Sequence, residues 1–307
     1  MTELLFEGCY VVDAFGDLYA VKGLVHPPRR VYGFPRIVEG VKVKDFSRAF
    51  DYVVRKRPEY LFDDPYTGRV VVAVPESMIS RRLLPSRTLK GPSKHVEAAM
   101  KLADRLAGCG VEFGFTGSLL TGYVDEKSDV DMVVYREGRK AYEVFKKLRC
   151  EGATRPAAGE SLDKLLESRM DSARALDMME AERRKVLTGV FDDFLYTVKI
   201  VPESFWETWE DTRCEPVQQY ECVVEVVDDS NAFYTPGRYG VRVVDGDEVG
   251  REVRDMIFFR SRFAEMAAAG DVLRVRALLE KVSTNAGSYL RLNVGVNRED
   301  YILRWQV

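Results

Sequence analysis

Residues 116–135 read TGSLLTGYVDEKSDVDMVVY and combine the residue types that hold a metal-bound phosphate. Asp129 and Asp131 flank Val130 at the start of an apolar run. Residues i and i+2 of a strand share a face, so the spacing predicts two carboxylates projecting together while Val130 and Met132 turn into packing. Such a pair stays ionised at neutral pH when a divalent cation sits between its members. An all-oxygen donor set suits Mg²⁺ or Mn²⁺, ions that keep coordination places for phosphate oxygens. Gly117 permits a tight strand-to-helix turn. Ser118 then opens a short helix, SLLTG, whose free N–H groups and hydroxyl are placed for a triphosphate tail. Ten residues separate Ser118 from Asp129, enough for one helical turn and a loop that returns the next strand beside the first.

The elements that must position these residues are legible around them. GPSKHVEAAMKLADRLAGCG predicts a helix with Ser93 as N-cap, an apolar stripe of Val96, Ala99, Met100, Ala103 and Leu106, and a stop at Gly108 or Gly110. VEFGF before the Gly-Ser pair and DVDMVVY after it predict strands, KAYEVFKKLR a helix, and FLYTVKIV another strand of the same sheet. Residues 161–187 predict a long helical stretch, with Leu162, Leu165, Leu166, Ala173 and Leu176 near one face.

Upstream, CYVVDAFGDLYAVKGLV predicts a hairpin turning at Phe15-Gly16-Asp17, and VKVKDFSRAFDYVVRKRP a helix from about Asp45. Downstream of about Tyr220, short alternating runs separated by NAF, DGDEVG, AAAGD and NAGS predict a small β-barrel or sandwich. The expected organisation is therefore a β-rich N-terminal region with one helix (1–90), a central α/β domain of α+β type with a mixed sheet (91–215) and a C-terminal β domain (216–307).

Gly117-Ser118, ten residues, then Asp129-Val130-Asp131-Met132 resembles the signature of the DNA polymerase beta-like nucleotidyltransferase superfamily. That likeness covers about residues 93–201. A narrower one, carried also by VKGLVHPP, is to archaeal predicted nucleotidyltransferases and extends over most of the chain. The resemblance implies a nucleotidyltransferase core in which Asp129 and Asp131 bind Mg²⁺ or Mn²⁺ and Gly117 and Ser118 hold the phosphates of a nucleoside triphosphate (NTP). An acceptor (RNA, protein or small molecule) then attacks the α-phosphorus and pyrophosphate leaves.

The resemblance also implies a third carboxylate on a later strand. The candidate strand, FDDFLYTVKIV, has no acid between Phe194 and Val201. Either Asp192 or Asp193 at its entrance would have to serve, and both read equally as turn residues. Lys199 in the same strand is a candidate for phosphate contact instead. Two other readings stand beside the enzyme: a nucleotide- or RNA-binding protein on this fold without turnover, and a glycosyltransferase using the Asp-x-Asp pair, which leaves Gly117-Ser118 unexplained.

Composition sets the outer bounds. The chain has 307 residues, 46% hydrophobic and 31% charged, with a net charge of −3. Residues 22–57 hold ten Lys/Arg against three acids, and residues 203–229 hold nine acids against Arg213 alone. In the basic part, Lys22, His26, Arg29, Arg30 and Arg36, interleaved with Tyr32 and Phe34, offer cations and stacking faces to RNA or a base, or else form a solvated proline-stiffened loop. Five scattered cysteines and two histidines argue against a structural zinc site. No run of about 18 apolar residues and no signal-like start is present, so the expectation is a cytoplasmic protein without membrane attachment. Four asparagines and three glutamines among so many charges resemble proteins from hot environments.

Overall fold

Turn-forming residues punctuate the first eighty positions, and the computed structural model, which describes residues 4–167 and 178–305, folds them as strands. These are β1 (Tyr10–Asp13), β2 (Leu18–Val21), β3 (Arg30–Val38), β4 (Val41–Lys42), β5 (Leu61–Asp64), β6 (Arg69–Pro75) and β7 (Ile79–Leu83), with α1 (Phe46–Lys56) between β4 and β5. Their sheet runs β5-β6-β3-β2-β1-β7, with β4 on β3. The expected turn at Phe15-Gly16-Asp17 forms because Asp13 Oδ1 accepts the N–H groups of Phe15 and Asp17, each at 2.9 Å, and Gly16 takes φ +90°. Asp45 caps α1 by accepting from the Arg48 N–H at 2.8 Å, and Ala49 and Val53 face the core.

A second sheet follows from α2 (Ser93–Asp104), β8 (Glu112–Phe115), α3 (Gly117–Thr121), β9 (Val130–Arg136), α4 (Gly138–Cys150), β10 (Thr188–Phe191) and β11 (Phe194–Ile200). Its order is β10-β11-β9-β8; β8 lies antiparallel to β9, whereas β11 lies parallel to it. A parallel neighbour requires a crossover, and the chain between β9 and β11, which contains α4, supplies it. The N-cap place of α2 falls to Pro92 rather than Ser93: the proline's fixed φ presets the first turn, and its carbonyl accepts from the His95 and Val96 N–H groups.

Alternation along β9 and β11 divides the second sheet into two faces. Val130, Met132 and Val134, with Tyr196, Val198 and Ile200, are buried. Phe145 of α4 stacks on Tyr196 with centroids 5.9 Å apart, and Arg149 donates to the Tyr196 hydroxyl at 3.1 Å. On the other face the N-terminal segment crosses β9. The ring of Phe6 meets Tyr135 at 5.6 Å, Gly8 lies against Val133, and the Gly8 carbonyl accepts from Thr116 Oγ1 at 2.5 Å.

Two compact units result. The first takes in Met1–Pro65, Arg69–Thr154 and Val190–Trp209, and the second Tyr66–Gly68, Arg155–Gly189 and Glu210–Val307. The second contains α5 (Glu160–Glu167), α6 (Met179–Arg184), β12 (Arg213–Asn231), β13 (Gly237–Asp245), β14 (Val253–Phe258), β15 (Val272–Thr284), β16 (Gly287–Val294) and β17 (Tyr301–Arg304). Its strands pair in the order β12-β13-β14-β16-β15-β17, and β15 also pairs with β12. Tyr239, Met256, Phe258, Phe263, Leu273 and Leu279 lie in its core.

Of the helix expected over 161–187, α5 and α6 form. Residues 168–177, including Ala173 and Leu176, lie outside the described residues. The helical path stops at Arg184 because Lys185 turns extended, burying its ammonium 2.5 Å from Glu182 Oε1 and from the Arg262 carbonyl. The whole is a mixed α+β architecture, and no described helix is long and apolar enough to cross a membrane.

Gly8 has φ +106°, and a Cβ there would collide with Val133 Cγ2. Gly8→Ala is expected to cost about 2–3 kcal/mol from backbone strain and overpacking, measured by denaturant unfolding. Val133→Ala in the same chain should return part of that loss, a non-additivity that distant sites do not show.

Candidate active site

Ladder pairing, rather than proximity in sequence, brings the Gly-Ser turn to the aspartates. Phe115 of β8 pairs with Met132 of β9, and the Thr116 N–H donates to the Asp131 carbonyl at 2.9 Å. Thr116 is extended, Gly117 takes φ +60°, and α3 ends at Gly122, whose N–H returns to the Ser118 carbonyl at 2.8 Å. The Asp131 carboxylate occupies the space that a Cβ at position 117 would need, with Asp131 Cγ 3.1 Å from that point. Glycine at 117 is thus required twice, by the left-handed backbone and by the carboxylate beside it.

The connection from α3 to β9 is stiffened on itself. Asp125 accepts from the Lys127 N–H at 3.0 Å and the Ser128 hydroxyl at 3.1 Å, and Ser128 Oγ accepts from the Asp125 N–H at 2.9 Å. Lys42 of β4 reaches Asp125 Oδ2 at 2.8 Å and holds that carboxyl below its ordinary pKa. Tyr123 packs against Val12, Leu18 and Ile37 of the N-terminal sheet. This closed turn delivers Asp129 immediately before β9 begins at Val130, and both Asp129 and Asp131 are partly buried. The sequence-predicted residues Gly117, Ser118, Asp129 and Asp131 therefore sit at one end of the β8–β9 pair. Among the described residues, no three His, Cys, Asp or Glu side chains converge into a metal-holding group.

Asp192 and Asp193 form the two-residue turn between β10 and β11, with φ +48° and +65°. Short polar side chains tolerate such backbone. Asp192 is ion-paired to Lys101 of α2 at 2.7 Å. The residue of β11 directly beside Asp131 is Thr197, and Lys199 pairs with Val133 one same-face step further on.

Lys199 lies in a charged cluster with Lys22 and with Glu7, which carried no sequence signal. Its Nζ is 2.7 Å from Glu7 Oε1, and Lys22 Nζ is 3.1 Å from the same oxygen. Glu7 Oε2 accepts the Gly23 N–H at 3.2 Å. Burial alone would raise the Glu7 pKa, but the two ammoniums outweigh it and hold the carboxyl at about 2. Burial opposes the Lys199 charge, and Glu7 and then Asp131 overcome it, so its pKa is raised. The Tyr10 hydroxyl is pushed up mainly by burial, with Arg36, Asp131, Lys199 and Glu7 all within electrostatic reach. A glutamate ahead of the first strand looks like any surface acid. It becomes a buried anchor only because the N-terminal segment crosses the second sheet.

The basic N-terminal set divides by role. His26 Nε2 is 3.1 Å from the Leu5 carbonyl and Nδ1 accepts from the Tyr32 N–H at 3.3 Å, which assigns the proton to Nε2. Burial lowers its pKa to about 4, so it adds no charge at neutral pH. Arg30 donates to the carbonyls of Glu59 and Ala73 at 3.1 and 3.0 Å and lies over the Phe62 ring. Lys22, Arg29 and Arg36 are exposed, and Phe34 stacks on Phe46 at 4.6 Å.

The chain is 22% identical over 329 aligned residues to the uncharacterized protein MJ1086 of Methanocaldococcus jannaschii, an alignment spanning 95% of this chain and 96% of that one. No family model matches the chain, and no solved structure matches it significantly.

Two titrations in the N-terminal region contribute to the acid response. His26 is held neutral, so its contribution is complete above about pH 6.5 and is lost as pH falls towards 4. Glu7 is held ionised, so its contribution is complete above about pH 4.5 and is lost towards pH 2. Chemical denaturation across pH 7 to 2.5 should show unfolding free energy falling through both windows. Glu7→Gln should lower it by about 3 kcal/mol at pH 7 and flatten the lower window.

Proposed function

We propose that the site is that of a nucleotidyltransferase, which takes an NTP with Mg²⁺ or Mn²⁺ and moves its NMP unit to an acceptor with release of pyrophosphate. The observation that carries the reading is the Asp131 carboxylate seated against the bare Cα of Gly117, with Ser118 next in the chain and Asp129 opening the same strand. Two carboxylates and no nitrogen or sulfur donor suit a hard divalent cation, so the residues fit the implied metal. Asp129 and Asp131 would hold it, and when bound it neutralises charge on the transferring phosphoryl group.

The remaining work falls to the chain. Gly117 lets the Asp131 carboxylate seat against the turn, and the Ser118 hydroxyl can donate to a phosphate oxygen. Lys42 and Asp125 keep the loop before Asp129 in one shape, so the carboxylates need little rearrangement on binding. In the same reading, the four-stranded sheet with α2, α3 and α4 is the nucleotidyltransferase core. The cyclic pairing of β12 through β16 is a small barrel, read as an acceptor-binding module. Exposed Arg29 and Arg36 favour RNA as that acceptor.

One observation favours a second reading, nucleotide binding without turnover. Asp192 and Asp193 lie in a hairpin turn, and the strand beside Asp131 presents Thr197 and Lys199 instead of an acid. Incubation with each labelled NTP, Mg²⁺ or Mn²⁺ and total RNA separates the two. Pyrophosphate release that falls to the blank level in Asp131→Asn is the expected result; nucleotide binding without release establishes the second reading, and absence of both removes the site assignment. The proposal includes a heat-adapted archaeal source, a reading supported by the scarcity of Asn and Gln and by the likeness to the Methanocaldococcus jannaschii protein. An unfolding midpoint above the ordinary range of about 45–65 °C is expected, and calorimetry checks it.

A further inference from the structure

The face of β11 that turns toward Asp131 offers a cation where a metal site of three carboxylates would need an anion. Thr197 stands directly beside Asp131, and Lys199 follows on the same face. The Lys199 ammonium is not free to swing, because Glu7 Oε1 holds it at 2.7 Å. Glu7 is itself only 3% exposed and is fixed by Lys22 at 3.1 Å and by the Gly23 N–H at 3.2 Å. One carboxylate therefore serves two ammoniums, and the trio keeps a net positive charge, to which exposed Arg36 adds. The side chains of Lys199 and Lys22 remain 23% and 45% exposed, so neither is sealed from solvent.

We infer that Lys199, with Lys22 beside it, is the fixed cation of the aspartate site, standing in for a second divalent ion and binding the triphosphate tail, while Glu7 positions both ammoniums. The inference rests on the nucleotidyl-transfer reading and narrows it to one divalent ion per bound nucleotide. A second ion beside Asp131 would meet the Lys199 ammonium at close range, and the described residues supply no third carboxylate to hold it. A triphosphate gains from the same ammonium a charge-assisted contact already paid for in ordering, because the lysine is held in place before the ligand arrives.

The test uses the full chain, Mn²⁺ counted by electron paramagnetic resonance, and a non-hydrolysable α,β-methylene ATP analogue. Wild type is expected to bind one Mn²⁺ per chain with the analogue, and Lys199→Glu, which adds a third carboxylate, to bind two. Lys199→Met should bind the analogue about tenfold more weakly, the loss of one charge-assisted hydrogen bond, yet bind Mn²⁺ alone more tightly because a repelling charge is gone. Lys199→Arg should restore the wild-type pattern. A lysine with a purely structural role would not move the two affinities in opposite directions. Glu7→Gln/Lys199→Met removes the buried carboxylate left short of a partner and should show the same loss of analogue affinity with the fold retained. Two Mn²⁺ per wild-type chain, or analogue affinity unchanged in both Met variants, overturns the inference and leaves nucleotidyl transfer standing. No Mn²⁺ bound by wild type with the analogue overturns both.

Discussion

The missing Cβ at Gly117 is the constraint on which the site depends, because the Asp131 carboxylate fills the volume that any other residue would occupy. That contact exists only if β8 and β9 pair in one register, with Phe115 opposite Met132, so that the turn after β8 meets the start of β9. A slip of one residue would send Asp131 to the opposite face, where Phe145 packs on Tyr196, and turn Val130, Met132 and Val134 out of that packing. Register is held by the apolar face beneath, and the connection that closes the unit is tied down by Asp125, Ser128 and Lys42.

Beyond Asp131 the same face of β9 is covered, and the cover decides what the site can be. Tyr10 comes within electrostatic reach of Asp131, Gly8 lies on Val133 and Phe6 meets Tyr135. A segment passing this closely must lack a side chain at one position, which is Gly8. It must also place a polar one where β11 presents Lys199, and Glu7 fills that place. An isolated ammonium at that depth would lose its charge to desolvation. Paired with Glu7, Lys199 stays charged and sets a cation on the face that Asp131 shares.

Several elements could be read directly from residue order because local chemistry specifies them. Asp13, Gly16 and Asp17 encode the first hairpin turn through side-chain-to-backbone hydrogen bonds. Asp45 encodes the start of α1, and the alternation in DVDMVVY and FLYTVKIV encodes two strands of one sheet. Other features were not local. Pro92, not Ser93, takes the cap of α2, and the helical path after α6 yields to a buried ammonium at Lys185 whose partner Arg262 is remote in sequence. The pairing of β12 with both β13 and β15 likewise depends on chain segments far apart.

By itself, then, the sequence determined the residue types and the spacing of the candidate chemistry: Gly117-Ser118, ten residues, and the Asp129–Asp131 pair at the mouth of an apolar strand. Turn chemistry and period-two alternation act over a few residues, so no fold is needed to read them. Only the tertiary structure decided that Asp192 and Asp193 turn a hairpin, that Thr197 and Lys199 stand beside the aspartate strand, and that Glu7 is a buried anchor. Those roles come from burial and from charges brought together across long stretches of chain. Neither quantity exists until the sheets have formed.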